Sequence, residues 1–409
     1  MTERELIGWG DGTVLAIALG LSVFGVAMIY SAGELEIAST VTGIWRKQAV
    51  WLAISIAAFV LARRVSVRWL EWVAPIAYVL AVLGLVVVLV IGGGSEPRSW
   101  IRFGPFGFQP SEFAKLATVL LLARLASGRE RPPDTLWDLW PYLAVVVLPV
   151  GLILAQPDIG TSAVFLAIFM ALLYWANLPV SRLVMVLSPF VSLALAFSTA
   201  LWGVWFLLLV AFLYFSRAYL SESLAVALAN VTMGVVVRPV WQGLAGYQRS
   251  RILAFIQPEA DPHGAGWHLI QSQVAIGSGG WLGKGFTAGT QKRLAFLPEQ
   301  HTDFIVAVVG EELGYVGISL VLLALAILLW RVVAIAERAM EPFASVLVFG
   351  IFAFWFAHVM ANVGMAVGLL PITGLPLPFV SYGGSFLLMS FVSLAIVQRV
   401  ASESRIIAQ

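Results

Sequence analysis

"FLPEQHTDFIVAVVGEELGYVG", residues 296–317, sets Glu299, His301, Asp303, Glu311 and Glu312 at the mouth of an apolar run that continues to residue 330. Read as the entry to a membrane span, the stretch commits the chain to a polytopic helical fold and raises a question. Ionisable groups are expensive inside a bilayer, and where they occur they usually mark a working site. At about 100° per residue Glu311 falls about 80° and Glu312 about 180° around the helix from Asp303. The two glutamates therefore cannot both face the groove that Asp303 faces. They also lie roughly two turns, on the order of 12 Å, further along the helix, so each needs a partner, with Arg46 or Lys47 of "WRKQAVW" as candidates.

Composition supports the membrane reading. Of 409 residues 60% are hydrophobic and 11% charged, against roughly 45–50% apolar content in soluble domains. A net charge of +2 with scattered Lys and Arg argues against a nucleic-acid partner, which would call for a clustered basic face. The chain has no Cys, which excludes disulfides and thiolate catalysis. The N-terminal "MTERELIGWGDG" is acidic and runs into a long apolar segment, read as a retained first span rather than a cleaved signal peptide.

Apolar runs of about the length that crosses a bilayer fall at 13–31, 47–62, 70–92, 111–127, 140–155, 161–177, 183–200, 203–216, 220–238, 304–330, 344–368 and 382–399. The expected fold is thus an all-α polytopic bundle of about twelve transmembrane helices, with residues 1–409 forming one membrane domain. With the N-terminus in the cytoplasm, the even-numbered turnarounds carry Arg63, Arg64, Arg124, Arg182, Arg217 and Arg331, as the positive-inside rule asks. Both termini are then cytoplasmic. The same bookkeeping puts four polar stretches outside: 93–110, 155–162, a large extracytoplasmic loop at 239–302, and 369–385. These break the charge rule with Arg98, Arg102, Arg249, Arg251, Lys284, Lys292 and Arg293, which suggests that something anionic is handled there.

Each outer stretch has a structural and a functional reading. In "EPRSWIRFGPFGFQPSEFAKLA" (96–117), Ser111 makes a good N-cap, Glu112 and Lys115 an i,i+3 pair, and Trp100 an interfacial anchor. Alternatively, a carboxylate and an ammonium share a helical face beside an aromatic platform of the kind sugars stack on. In "QPDIGTS" (156–162) Asp158 caps a helix or faces a site. "PLPFVSYGGS" (376–385) is a rigid re-entry, or a cavity floor lined by Ser381, Tyr382 and backbone N–H groups. In the opening stretch His301 or Thr302 ends the loop, and Asp303 sits in the first turn, where the helix dipole favours it. No P-loop, H-E-x-x-H or G-x-S-x-G is present, and His263, His268, His301 and His358 show no metal-ligand spacing.

In one order along the chain stand "RSWIRFGPFGFQPSEFAK", "QPDIGT", "YQRSRILAFIQPEADPHGAGWHLIQSQVAIGSGGWLGKG" leading to "FLPEQHTDFIVAVVGEELG", and "NVGMAVGLLPITGLPLPFVSYGGS". This set resembles the SEDS family (shape, elongation, division and sporulation) over nearly the whole chain, nearer its RodA than its FtsW branch on "GTQKRLAFLPEQHTDF" and "QRSRILAFIQPEADP". The resemblance implies a peptidoglycan glycosyltransferase of the bacterial cytoplasmic membrane that polymerises lipid II on the outer face for cell-wall elongation, with a class B penicillin-binding protein as transpeptidase partner. It places the family's essential acid at Asp303 and points further to Trp100, Glu112, Lys115, Asp158, Lys47, Arg98 and Arg102; His301, Ser381 and Tyr382 complete the candidate substrate contacts. Family members usually have ten spans, whereas residues 178–245 hold room for three helices in place of one.

The chemistry so implied suits the residues. An α-linked polyprenyl diphosphate donor and a β-1,4-linked polymer require one in-line displacement with inversion. Diphosphate is a good leaving group, so one base and a set of cations replace the carboxylate pair of glycosidases. Asp303 is the expected base; Lys115, Lys47, Arg98 or Arg102, with magnesium or manganese as a further candidate, are the expected diphosphate holders. An FtsW-like division polymerase, a lipid II flippase and a structural partner of other wall enzymes are the competing readings. The one-sided placement of the polar motifs favours the polymerase.

Overall fold

The computed structural model describes residues 10–34, 42–91, 99–103, 106–129, 131–244, 246–257, 265–293 and 299–407. Arg98 lies outside these residues, and so does the side chain of Arg102. All twelve expected spans are helices: α1 (Gly12–Gly33), α2 (Ile44–Ala62), α3 (Val67–Ile91), α4 (Pro110–Ser127), α5 (Trp140–Ala155), α6 (Ile159–Trp175), α7 (Val180–Leu195), α8 (Thr199–Phe215), α9 (Leu220–Gly243), α13 (Ile305–Arg338), α14 (Pro342–Ala366) and α15 (Gly384–Ile407). Between them lie a β-hairpin, β1 (Ile101–Phe103) and β2 (Phe106–Phe108), and three non-spanning helices, α10 (Gly246–Ile256), α11 (Ala265–Ser278) and α12 (Thr290–Arg293). The chain is a multi-pass membrane protein.

Helices α14 and α15 form the centre. They are buried on nearly every face, with Phe354, Trp355 and Phe391 among the large side chains sealed there, and α2, α4, α6 and α13 pack around them. The start of α1 is fixed by Asp11, which accepts hydrogen bonds from the Thr13 and Val14 amides, pairs with Arg331 near the end of α13 and exchanges backbone bonds with Gln398 of α15. Both ends of the chain therefore reach the same face of the bundle. Helices α7–α9 build a small core of their own from Met185, Leu209, Leu213 and Val226. Buried Asn230 donates to Ser188 at 2.8 Å and accepts from Ser192 at 2.6 Å. Glu222 pairs with Arg182 inside this trio and accepts from the Leu136 amide, which ties the trio to the segment before α5.

The span at 304–330 differs from expectation in an informative way. Helix α13 runs 34 residues, about 50 Å at 1.5 Å per residue, and it is two helices merged across Gly314, whose φ 65 and ψ −164 are not helical. The freed backbone groups bond to the preceding loop. Lys284 and Gly285 amides donate to the Glu311 and Glu312 carbonyls, while Tyr315 and Val316 amides donate to the Gly280 and Trp281 carbonyls. Glu311 is held by Lys284 at 2.7 Å, by Thr290 and by the Gln291 amide, so its partner is the loop rather than Arg46 or Lys47, both exposed. Glu312 accepts from Ser31. Helix α1 from Asp11 to Ser31 thus runs beside α13 from Arg331 to Glu312, about 30 Å, which is the thickness of a hydrocarbon core. The two glutamates lie at one end of this crossing, at the break in α13, and Asp303 lies before the first residue of α13.

Candidate active site

All four polar stretches expected outside meet at one end of the bundle around a cavity of about 500 Å³. The hairpin side gives Ser99, Trp100 and Gln109; the α5–α6 turn gives Asp158 and Gly160; α10 gives Tyr247, Gln248 and Arg251; the α13 entry gives Glu299, Thr302 and Asp303. The re-entry before α15 adds Thr373, Gly374, Pro376 and Tyr382, and α2 adds Trp51. Two close approaches hold these walls together. A Cβ at Gly160 would lie 2.3 Å from the Thr373 carbonyl, and one at Gly384 would lie 2.1 Å from the Trp51 ring.

Asp303 sits in the tight turn before α13, where the amides of Thr302, Asp303 and Phe304 converge on the Glu299 carbonyl. Its carboxylate and the Arg251 guanidinium flank one point, 3.5 and 3.7 Å from where a Cβ of Gly374 would stand. Asp303 is half-buried and lines the cavity. Burial, reinforced by Glu299 and opposed by Arg251, pushes its pKa from 3.8 to about 7. Arg251 pairs with no described carboxylate and lies 5.8 Å from the Tyr247 ring centre, which leaves its donors directed to the cavity.

The other expected site residues divide. Trp100, Asp158 and Tyr382 line the cavity with Asp303. Asp158 also caps α6, accepting from the Thr161 amide at 2.9 Å and hydroxyl at 2.8 Å, so both readings of it hold together. Lys47 is exposed and lies one turn from Trp51 on the same face of α2. His301 is buried against the Tyr382 ring, with 5.4 Å between centroids, and burial lowers its pKa. Ser381 is buried and accepts from the Leu377 amide at 2.8 Å, which makes it a turn-former. Ser111 falls inside the first turn of α4; the cap is Gln109, because Pro110 takes the first helical position.

Glu112 and Lys115 are brought together but away from the cavity. Lys115, with no exposed surface, donates to Glu112 at 2.8 Å and lies 2.9 Å from Nε2 of His358. Phe386, a lining residue, separates this group from the cavity, stacked on His358 at 4.5 Å. Arg251 and Glu299 were noted in the sequence without a place in the site, and Trp51 and Asn362 were not singled out. Their signal was present only as one basic residue among several, one acid in a loop, and polar or aromatic positions within apolar helices.

A multi-pass bundle that gathers an acid poised near neutrality, a guanidinium and aromatic rings in one recessed cavity defines a membrane protein equipped to work on a polar group at the membrane boundary. The comparisons give that class its family. The chain belongs to the FtsW/RodA/SpoVE family of cell cycle proteins, whose model matches residues 12–204 and 197–406. The two matches overlap over residues 197–204, across the turn into α8. It is 36% identical over 400 residues to the peptidoglycan glycosyltransferase MrdB of Escherichia coli, covering 98% of this chain and 95% of that protein. To the peptidoglycan glycosyltransferase RodA of Treponema pallidum it is 31% identical over 422 residues, covering 95% and 97%. A chain in a structure described as "Structural coordination of polymerization and crosslinking by a peptidoglycan synthase complex" superposes with TM-score 0.71 at 27% identity, over 97% of this chain and 99% of that one. The crystal structure of Thermus thermophilus rod shape determining protein RodA gives TM-score 0.63 at 25% identity, covering 97% of each chain.

Proposed function

We propose that this chain is a peptidoglycan glycosyltransferase that polymerises lipid II into glycan strands on the outer face of the bacterial cytoplasmic membrane, in the manner of RodA and for cell-wall elongation. Both termini then lie in the cytoplasm and the cavity opens outward. The observation that carries the reading is the Asp303 carboxyl and the Arg251 guanidinium lining one cavity, 3.5 and 3.7 Å from where a Cβ of Gly374 would stand. Asp303 takes the proton of the acceptor's 4-hydroxyl as that oxygen attacks the donor's anomeric carbon. The bond to diphosphate breaks with inversion, and the lipid diphosphate leaves toward Arg251. Trp51, Trp100 and Tyr382 offer ring faces to the sugars. Support comes from glycosyltransferase relatives matched over nearly their full length.

Among the described residues no group of three or more His, Asp or Glu side chains could hold a metal ion. Magnesium or manganese would enter with the substrate's diphosphate. The transpeptidase partner we assign is a class B penicillin-binding protein.

The test is glycan formation from lipid II by the protein in liposomes with its transpeptidase, with lipid II translocation measured in parallel. Glycan ladders support the polymerase; translocation without ladders would move the assignment to a flippase. The charges around Asp303 set a further prediction. A base must be ionised, so the rate is expected to rise with pH through about 7. Glu299→Gln removes a charge that raises the Asp303 pKa and is expected to move this acid limb to lower pH. Arg251→Met removes one that lowers it and is expected to move the limb upward, with weaker lipid II binding. Opposite or absent shifts in the pH–rate profile would contradict the arrangement.

A further inference from the structure

The loop entering α15 is pinned from behind by two side chains of α14, one turn apart. His358 Nδ1 lies 3.0 Å from the Pro376 carbonyl. Asn362 donates at 2.7 Å to the carbonyl of Leu375, the adjacent residue. Each of the two has a second attachment. His358 Nε2 accepts from Lys115 at 2.9 Å, so the buried Glu112–Lys115 pair bears on it directly. The second hydrogen of the Asn362 amide goes to the carbonyl of Asp303 itself, at 2.9 Å. His358 and Asn362 have no exposed surface, and the loop they grip supplies Thr373, Gly374 and Pro376 to the cavity.

These bonds form two chains, Glu112–Lys115–His358–Pro376 and Leu375–Asn362–Asp303, joined by the backbone between Leu375 and Pro376. Lys115 donates to the Glu112 carboxylate and to His358 and is not among the residues that line the cavity, yet it bears on the ring that holds Pro376. The next carbonyl along is held by the same amide that holds the turn of the base. A network whose members share partners has few arrangements available, and an error on the order of 1 Å in a reacting group can cost about 100-fold in rate.

We propose that His358 and Asn362 are positioning residues that transmit the geometry of the buried Glu112–Lys115 pair to the Asp303 turn through the carbonyls of Pro376 and Leu375, so that the pair serves the reaction without touching substrate. The inference rests on the glycosyltransferase reading and reassigns the two residues of α4 expected to meet substrate.

The experiment measures kcat and KM for lipid II polymerisation in liposomes. It compares the wild type, Glu112→Gln with Lys115→Met (which neutralises the pair without leaving a lone buried charge), Asn362→Ala, and all three changes together. The neutralised pair and Asn362→Ala are each expected to lower kcat on the order of 100-fold with KM within about twofold. The combined variant is expected to lose no more than the worse of the two, because residues acting as a unit are not additive. His358→Gln, which retains a donor for Pro376, is expected to keep kcat within about tenfold while His358→Leu does not. A large rise in KM at unchanged kcat on neutralising the pair would mean that Lys115 meets the diphosphate, and losses that multiply in the combined variant would mean independent roles; either overturns the proposal. Should the neutralised pair not give a monodisperse, cooperatively melting protein, Asn362→Ala and the two His358 variants decide by the same kcat and KM comparison. A wild type that makes no glycan would instead defeat the functional reading.

Discussion

Asp303→Ala is expected to abolish visible glycan ladders, lowering lipid II polymerisation by about 10²–10⁴-fold, the range that general-base catalysis supplies, while the protein folds and binds its transpeptidase as before. Asp303→Asn sharpens the test, because it preserves shape and removes only ionisation. The folded-state pKa of about 7 lies above the ordinary 3.8, so folding favours the protonated carboxyl. The stability this contributes is fully present below the ordinary value and is lost as pH rises through about 7. A permanently neutral amide escapes that loss. The Asn variant is therefore expected to be inactive, to melt higher than wild type at pH 8, and to lose that advantage as the pH falls toward 4. Ladders from either variant would place the base elsewhere. A melting difference independent of pH would mean that Asp303 ionises as an ordinary carboxyl.

The second large effect is expected at Gly314. Its φ 65 and ψ −164 belong to a region essentially confined to glycine, at a cost of about 1–3 kcal/mol for other residues. A Cβ there would also lie 2.4 Å from the Gly283 nitrogen and 2.6 Å from the Trp281 carbonyl. These are backbone atoms with no rotamer to change. Gly314→Ala is expected to pull the 279–290 loop off α13, leaving the Glu311 and Glu312 carbonyls and the Glu311 carboxylate without their partners. Each buried polar group so orphaned costs about 1–3 kcal/mol more. The measurement is yield and melting temperature in detergent, with Gly12→Ala as control, since a Cβ at Gly12 meets nothing within 4 Å. A Gly314→Ala protein that melts with the control would show that the break in α13 is not a structural requirement.

The spans were legible because twenty apolar residues have few other uses, and the convergence of the four polar stretches followed from the alternation of sides. Asp303, Trp100, Asp158 and Tyr382 were legible for the same reason: each is a chemically conspicuous residue in an outer stretch. Arg251 was not, since "QRSRILAF" offers two arginines and only the turn of α10 decides which one faces inward. The i,i+3 pairing of Glu112 with Lys115 was plain in the sequence, but its direction was not. It depends on His358, far along the chain on α14, and on a helix α4 buried over most of its surface. The break at Gly314 was hidden because a glycine in an apolar run is compatible with a straight helix, and the loop that closes the break is recognisable only once folded.

The central place of α14 and α15 governs the order in which the molecule can be completed. They follow the other ten described spans along the chain, yet α1 is fastened at Asp11 to Gln398 of α15, and α2 and α4 pack against that same helix. The faces of the earlier helices that pack on α14 and α15 have no protein partner until that pair is in place. A chain made without residues 342–407 would carry ten of the described spans and lack the cavity wall that Thr373, Gly374, Pro376 and Tyr382 supply.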